Sequence, residues 1–419
     1  MRKLFFIDDT LTNKISYWLL VGFLITLPFD SYYSEIILAA FTLHTCINLH
    51  KASFKNIFSK EVLLLISIYL LGVITGFYSY DKNESRSIAT KQLAILIFPV
   101  SFILNGLDLD KYKLNLLKFF VGICTITIVY LYFDALHTIA YFHLLLQDLF
   151  NPAFMNHNFS MPIEMHATYL SMYVAFSIAI LAYLIRTEQR RSIKYLYITC
   201  IIILSAGLLQ LSSRAIVIAL LLVINVAFPV LLLNGKQRIK FCAISFAVSL
   251  ALLFGITQIG SFKTRYVSEL KNDLSDKISV IEIDESRVTR WEAIAELVKK
   301  SPVIGYGTGS EKKILQDKYF ERKLYSSYIN QLNTHNEYLN FLLKTGFIGL
   351  AIFIGVLGIG FLTAWKQKDF LFAAFLILIS IVCISENILD RNKGIFFYSF
   401  FFSLFLLKNN RKKETTATI

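Results

Sequence analysis

Long apolar runs alternate with short polar segments along the chain. A helix needs about 20 predominantly apolar residues to cross a bilayer, and it satisfies its own backbone hydrogen bonds where lipid offers none. The runs therefore predict an all-α, polytopic membrane helix bundle of about twelve spans. The predicted spans are residues 15–29, 34–49, 62–79, 92–106, 115–138, 163–185, 195–211, 214–233, 240–257, 347–364, 370–386 and 393–407.

One polar segment interrupts this alternation. Residues 258–346, between the ninth and tenth predicted spans, contain 14 Lys and Arg residues against 12 Asp and Glu residues. A bundle does not need so large a connection, and loops carry function more often than scaffolds do. We therefore predict three parts: spans one to nine in residues 1–257, a helical loop at 258–346 that carries the candidate chemistry, and spans ten to twelve with a basic tail in residues 347–419.

The composition excludes a soluble domain, because 56% of the residues are hydrophobic and only 17% are charged. The net charge of +13 would indicate a nucleic-acid partner in a soluble protein, but cytoplasmic loops of membrane proteins also collect Lys and Arg. Connections rich in these residues alternate with connections that lack them, such as 30–33 and 139–162, while residues 80–91 carry both signs. The pattern predicts a lipid bilayer and no nucleic acid as partner, cytoplasmic termini and an exported loop at 258–346.

We predict no disulfide, no metal site and no cofactor. All five cysteines fall inside apolar segments. Asp108 and Asp110 resemble a metal-binding pair of aspartates, but they lie on the predicted cytoplasmic side. The first exported connection offers only Asp30 and Glu35. Arginines would then have to neutralise any anionic leaving group.

Residues 286–300 have the periodicity of an amphipathic helix. At 100° per residue, Arg287 falls near the centre of the apolar face and Arg290 falls at its edge. A guanidinium in an apolar environment needs an anion. Two interpretations stay open: an ion pair with a carboxylate such as Glu386 or Asp284, or a ligand phosphate, which suits the planar fork of arginine near a helix N-terminus.

Three glycines, Gly305, Gly307 and Gly309, alternate with Tyr306 and Thr308 after this helix. A loop that cradles phosphate is conceivable, but the Lys-Ser/Thr ending and the preceding strand of such loops are missing. The pattern favours a structural turn.

A histidine stands close to the start of span ten. Thr334, followed three residues later by Glu337, predicts a capping box. His335 would then occupy the first helical position, where the positive end of the helix disfavours the imidazolium. A neutral ring there suits abstraction of a proton from an acceptor hydroxyl, so His335 is the candidate general base. The alternative interpretation is a polar residue satisfied at the membrane surface.

Further candidates lie at the exported ends of predicted spans. Arg214 stands between spans seven and eight, and ionisable residues at membrane depth are usually functional, although this side chain could instead extend to lipid headgroups. Arg265, just after span nine, and His166, at the mouth of span six, are candidates for substrate contact of the same kind. The two carboxylates and one guanidinium in residues 386–391 are expected to pair with one another or to touch substrate.

Several short motifs stand in order around the predicted exported loop. They are Ser213-Arg214-Ala215, Arg287 four residues before Trp291, Pro302 with Gly305-Tyr306-Gly307-Thr308-Gly309, and Thr334-His335-Asn336-Glu337-Tyr338 before Gly346-Phe347-Ile348-Gly349-Leu350. In this order and spacing they resemble the O-antigen ligase and O-antigen polymerase superfamily of integral-membrane glycosyltransferases. The resemblance covers most of the chain in topology and is sharpest from residue 210 to residue 349.

This resemblance implies a glycosyltransferase that uses an undecaprenyl diphosphate-linked glycan as donor, at the periplasmic face of a bacterial inner membrane. The implied transfer is metal-independent and inverts the anomeric configuration. The family's arginines, matched here by Arg214, Arg287 and Arg265, would bind the diphosphate. The family's histidine, matched by His335, would activate the acceptor hydroxyl.

Three acceptors fit the resemblance. A lipid A-core sugar (ligase) is our first expectation, since one large late exported loop and twelve spans suit it. A growing repeat unit (polymerase) and a protein serine or threonine (oligosaccharyltransferase) are the alternatives. A transporter of the lipid-linked glycan belongs to a different class, in which paired internal repeats are typical, and the sequence contains no such repeat.

Overall fold

The computed structural model describes residues 6–273 and 285–407, which form helices and no strand. The principal helices are α1 (Leu11–Thr26), α2 (Ser31–Ile47), α3 (Lys60–Gly76), α4 (Lys82–Lys91), α5 (Leu93–Leu104), α6 (Leu109–Tyr141), α7 (Ala167–Thr187), α8 (Arg191–Leu211), α9 (Arg214–Leu232), α10 (Gly235–Thr257), α11 (Arg287–Lys300), α12 (Glu311–Glu321), α13 (Tyr325–Ile329), α14 (Glu337–Gln367), α15 (Phe370–Val382) and α16 (Asn392–Leu406). Short helical turns lie at Lys51–Phe58, Leu146–Phe150, Pro152–Phe154, His157–Ser160, Met161–Ile163, Gly260–Lys263, Thr264–Ser268, Glu269–Asp273 and Ile388–Asp390.

Each of the twelve predicted spans coincides with one helix. Among the described residues, seven helices are long and apolar enough to cross a membrane: Lys82–Leu104 (α4 with α5), α6, α7, α8, α9, α10 and α14. Helices α15 and α16 are apolar but shorter. The prediction of an all-α polytopic bundle is confirmed.

Aromatic side chains fill the centre of the bundle around α16. Phe400 stacks on Phe23 of α1 at 5.5 Å between ring centroids and meets the edge of Phe98 of α5 at the same distance. Phe401 makes edge contacts with Phe120 of α6 and Phe176 of α7, each at 5.0 Å. Because lipid tails are as apolar as these rings, tight packing rather than escape from water holds such helices together.

The predicted exported connections lie at one end of the bundle. The Tyr80 N–H donates to Ser310 Oγ (2.8 Å), which joins the connection before α4 to the large loop. Asn392 Nδ2 donates to Glu35 Oε1 (2.6 Å), which joins α16 to α2. Residues 80–91, whose mixed charge gave no orientation, therefore share an end with the loop. Which end faces the cytoplasm remains a prediction from the charge pattern.

Helices α11, α12 and α13 give the large loop a small core of its own. It consists of Ala293, Ile294, Leu297, Leu315, Tyr319, Leu324 and Leu343. The prediction that Arg287 lies near the centre of the apolar face of α11 is wrong, since Arg290 is the buried arginine and Arg287 is half-buried. The reason is tertiary: α12 and Leu343 pack on the stripe that runs from Arg290 through Ile294 to Leu297.

The glycine-rich segment is a structural turn, as predicted, and it packs against a break in α14. At Gly346 the backbone has φ 63° and ψ −164°, and the helix is interrupted. The turn pairs with the exposed backbone groups there: Tyr306 N–H donates to Leu343 O (2.9 Å), and Gly307 N–H donates to Lys344 O (2.8 Å). A Cβ at Gly346 would stand 2.2 Å from Val303 O, so only glycine fits.

Substituting Gly346→Ala should destabilise the protein. The backbone conformation alone costs a residue with a Cβ about 1–3 kcal/mol, and the overlap with Val303 adds to this strain. Thermal unfolding of the detergent-solubilised protein should shift down by several degrees. Gly355→Ala is the matched control in the same helix, because a Cβ there meets nothing within 4 Å; equal unfolding temperatures for both variants would contradict the proposed role of the break.

Candidate active site

A cavity of about 490 Å³ opens at the end of the bundle that carries the loop. The start of α7, the segment before α14, the connection between α15 and α16, the start of α2 and the end of α4 enclose it. Its ionisable lining residues are Asp30, Lys91, Glu164, His166, His335, Glu386, Asp390, Arg391 and Lys393. The structure therefore brings two of the predicted site residues, His335 and His166, into one cavity.

His335 lies outside α14, so the predicted capping box is wrong. The helix begins at Glu337, and Asn336 is its N-cap, accepting the Leu339 N–H (3.1 Å). His335 itself takes a left-handed conformation (φ 44°), and its N–H donates to Asn333 Oδ1 (3.0 Å). The Glu337 carboxylate instead accepts the Leu389 N–H from a distant segment. His335 therefore does not occupy the first helical position from which a neutral ring was predicted.

Glu386 faces the His335 ring. Nδ1 of His335 lies 3.7 Å from Glu386 Oε2, and Glu386 Oε1 lies 3.5 Å from the Thr168 hydroxyl. Burial acts to raise the pKa of Glu386, but His335, His166 and Arg287 outweigh it and lower the pKa below its ordinary value. Glu386 is therefore an anion at neutral pH, next to an imidazole that it can orient.

Two further histidines, His157 and His166, pack against each other beside the pair formed by His335 and Glu386. His166 is the N-cap of α7, and its ring centroid lies 4.1 Å from that of His157. Burial lowers the pKa of His166 to about 4 and also lowers the pKa of His157. Both rings are neutral at neutral pH and can exchange hydrogen bonds with hydroxyl groups. The sequence analysis did not select His157, although it lies in a predicted exported connection without Lys or Arg.

The predicted arginines lie around the cavity without lining it. Arg287 Nη1 donates to Ser385 O (3.3 Å), and its charge helps to lower the pKa of Glu386. Arg214 Nη1 donates to Arg265 O (3.4 Å). The Arg265 side chain forms an ion pair with Glu269, and its positive charge helps to lower the pKa of His157.

Arg290 occupies a different environment. The Arg290 side chain is 8% exposed and lies on the face of α11 that packs in the loop core. Its positive charge acts to lower the pKa of the Tyr319 hydroxyl. The structure thus separates Arg290 from the cavity and places Arg287 beside Glu386. Asp284, the other predicted carboxylate partner of Arg287, lies outside the described residues.

A buried ion cluster is linked by hydrogen bonds to the segment that contains His335. Lys344 Nζ lies 2.7 Å from Asp390 Oδ2 and 2.9 Å from Glu311 Oε2. Burial acts to raise the pKa of Asp390, but Lys344 holds it below its ordinary value, while burial keeps the pKa of Glu311 raised. The Lys344 ammonium therefore contacts both carboxyl groups. For the ions of residues 386–391, the sequence leaves open both pairing with one another and contact with substrate; in the structure Asp390 pairs with Lys344 on α14, and all three side chains line the cavity.

Asn387 connects this cluster to the histidine. Its Nδ2 donates to Glu311 Oε1 and Asp390 Oδ2 (each 3.3 Å), and its Oδ1 accepts from the Thr334 hydroxyl and the Asn336 N–H (each 2.9 Å). The residues on both sides of His335 are thus fixed to the same amide. No local pattern marks Asn387 in the sequence. Lys344, a charge inside an apolar run, was the available signal.

No metal-binding group stands out in residues 6–273 and 285–407. Within these ranges, no three His, Cys, Asp or Glu side chains converge as ligands would. The cations and neutral histidines described above are the groups that can act on an anionic or hydroxyl-bearing ligand.

Residues 198–354 match the family model described as O-antigen ligase. The matched range contains Arg214, Arg265, Arg287 and His335, together with Lys344. This match confirms the resemblance to the O-antigen ligase and polymerase superfamily, whose members are glycosyltransferase-like enzymes. No curated protein matches the chain.

Replacing Lys344 with methionine should leave two buried carboxylates without a cation, a change that costs about 3–5 kcal/mol. In the wild type, the lowered pKa of Asp390 gives stability that is lost as pH falls. In Lys344→Met the same carboxyl group is unpaired and buried, so its pKa is raised. The free-energy cost of burying its negative charge therefore decreases as the pH falls. Unfolding temperatures of the two proteins should therefore converge from pH 7 toward about pH 4.

Lys366→Met, at the exposed end of the same helix, removes the same charge and is the control. A constant difference between wild type and Lys344→Met across this pH range would show that the loss comes from packing rather than from unpaired charge.

Proposed function

Since the match supports an O-antigen ligase or polymerase type of enzyme, we propose that this chain is a ligase-type glycosyltransferase. It moves a glycan from undecaprenyl diphosphate to a sugar hydroxyl of lipid A-core on the periplasmic side of a bacterial inner membrane. The observation that carries this proposal is the position of His335: a rigidly held histidine in the cavity, 3.7 Å from the anionic Glu386 and with Arg287 beside that carboxylate.

His335 acts as the general base in this proposal. Glu386 faces Nδ1 and orients the ring, so Nε2 is left to accept the proton of the acceptor hydroxyl. As the proton leaves, the hydroxyl oxygen bonds to the anomeric carbon and the bond from that carbon to the diphosphate oxygen breaks. A single displacement of this kind inverts the anomeric configuration. The 3.7 Å separation is longer than a hydrogen bond, as is common before substrate binds.

The diphosphate departs with the electron pair and needs positive charge rather than a proton. Arg287 lies beside Glu386, which faces His335, and Arg265, to which Arg214 donates, acts on His157. A planar guanidinium fits phosphate oxygens with two parallel hydrogen bonds. Preorganised cations stabilise the charge that develops in the transition state without a metal ion.

His166 suits a role in binding the transferred sugar or its acceptor. Its ring is neutral at physiological pH and lines the cavity beside Glu386. Neutral imidazoles donate and accept hydrogen bonds, as sugar hydroxyls do. The surroundings are thus polar without adding a further cation next to the base.

The polymerase reading differs from the ligase only in the acceptor, and a genetic experiment separates the two. We expect a deletion strain to accumulate long glycan on the lipid carrier, with none joined to lipid A-core, as seen on a lipopolysaccharide gel. Core molecules that each carry a single repeat unit would instead show that this chain is the polymerase.

The variant His335→Ala should lose roughly 10²–10⁴-fold in transfer rate, which is the usual contribution of a general base. The assay is transfer of glycan from purified polyprenyl diphosphate donor to lipid A-core by protein in liposomes. His143→Ala is the control, since His143 is exposed at the same end of the bundle and does not line the cavity. Full activity of His335→Ala would show that His335 is not the general base.

Arg287→Lys should also reduce transfer strongly, although it keeps the charge. A lysine presents a single ammonium and cannot reproduce a bidentate fork on phosphate. The measurement is the rate of polyprenyl diphosphate release at saturating acceptor. Should the variant release product at the wild-type rate, the Arg287 side chain would be assigned to orienting the Ser385–Glu386 segment instead.

A further inference from the structure

The cavity contains cations that the proposed mechanism does not use. Lys91 lies in the last turn of α4, and Arg391 and Lys393 lie at the start of α16. We call these three residues the cation wall. They come from two helices that are far apart in sequence, and all three line the same cavity as His335.

Two of these cations have no ionic partner in the part of the chain that the structure describes. Lys91 and Arg391 are exposed, and neither has a carboxylate within 4.0 Å among residues 6–273 and 285–407. The Lys393 ammonium donates only to a backbone carbonyl in the described part of the chain, that of Leu27 (3.0 Å). Their positive charge therefore faces the cavity.

Two of the four carboxylates that share the cavity are paired with groups outside the cation wall. Asp390 is neutralised by Lys344, and Glu386 faces His335. Asp30 caps α2 by accepting the Tyr32 N–H (2.9 Å), and its charge, like that of Glu35, attracts the Lys393 ammonium, while Glu164 is exposed. Lys91 and Arg391, which have no carboxylate within 4.0 Å in the described residues, thus keep the capacity to bind an anion.

The cation wall and the predicted donor arginines contact different segments of the protein. Arg287 contacts Ser385, just before Glu386, and Arg265 acts on His157. The cation wall instead adjoins α2: Asn392 Nδ2 donates to Glu35 Oε1, and Lys393 donates to Leu27 O. In a single displacement the acceptor hydroxyl attacks from the face opposite the leaving diphosphate, and the base contacts that hydroxyl. With the arginines assigned to the diphosphate, the cation wall is available to the acceptor, whose reacting hydroxyl lies against His335.

We propose that Lys91, Arg391 and Lys393 form an anion-binding subsite that takes an acidic group, a phosphate or a sugar carboxylate, of the acceptor glycan. This inference rests on the proposed function and adds the chemical class of acceptor to it. The subsite selects acceptors by charge and holds the reacting hydroxyl against His335. Its residues bind substrate and take no part in proton transfer.

The test compares two acceptors with the liposome assay: phosphorylated lipid A-core and the same material after treatment with a phosphatase. For the double variant Lys91→Gln/Arg391→Gln, the KM for the phosphorylated acceptor should rise roughly tenfold, the effect of about 1.4 kcal/mol in binding. The KM for the donor and kcat should stay at their wild-type values. With the dephosphorylated acceptor, the variant and the wild type should have similar KM values.

Arg86→Gln is the control, since Arg86 is exposed on α4, carries the same charge and does not line the cavity. An unchanged acceptor KM in the double variant, an increase in the donor KM, or the same increase in Arg86→Gln would each overturn the subsite. Absence of transfer by the wild type to either acceptor would overturn the proposed function itself, and the inference with it.

Discussion

The ion cluster of Lys344 with Asp390 and Glu311 is the constraint on which the loop-bearing end of the bundle depends. A charge buried at this depth is costly unless it is paired, so the three segments that carry these residues must meet. Asn387, which donates to Glu311 and Asp390 of this cluster, also accepts hydrogen bonds from Thr334 and Asn336, on either side of His335. The left-handed conformation of the histidine follows from contacts made by its neighbours rather than from its own side chain.

Close backbone approach provides a second attachment between the loop and the bundle. The break in α14 at Gly346 exposes carbonyl groups, and the glycine-rich turn supplies the N–H groups that satisfy them. Thr308 extends this contact to α3, where its hydroxyl lies 2.6 Å from that of Thr75. Because apolar surface gains little from leaving lipid, such hydrogen bonds and small residues carry much of the cohesion between segments. The rigid frame around His335 is assembled from these polar contacts.

The anionic, neutral and cationic side chains of the site lie in different parts of the cavity and its border. An anionic Glu386 stands against His335, two neutral histidines lie beside it, and cations border the site on the Arg287 side and on the cation wall. Two carboxylates near the base have partners of their own: Glu386 faces His335, and Asp390 pairs with Lys344. Preorganised groups of this kind need little rearrangement when a charged ligand enters, which favours catalysis by positioning.

The sequence by itself determined the helical bundle and the existence of a large loop, because apolar run length decides where a helix can cross a bilayer. It also indicated the structural turn, since alternating glycines suit close backbone approach. Tertiary structure alone decided which arginine of α11 is buried, because the partner helix chooses the stripe. It likewise decided that Thr334 and Glu337 bond to the α15–α16 connection rather than to each other. Local patterns cannot reveal partners that are 50 or more residues away in the chain, and those partners place His335 in the cavity.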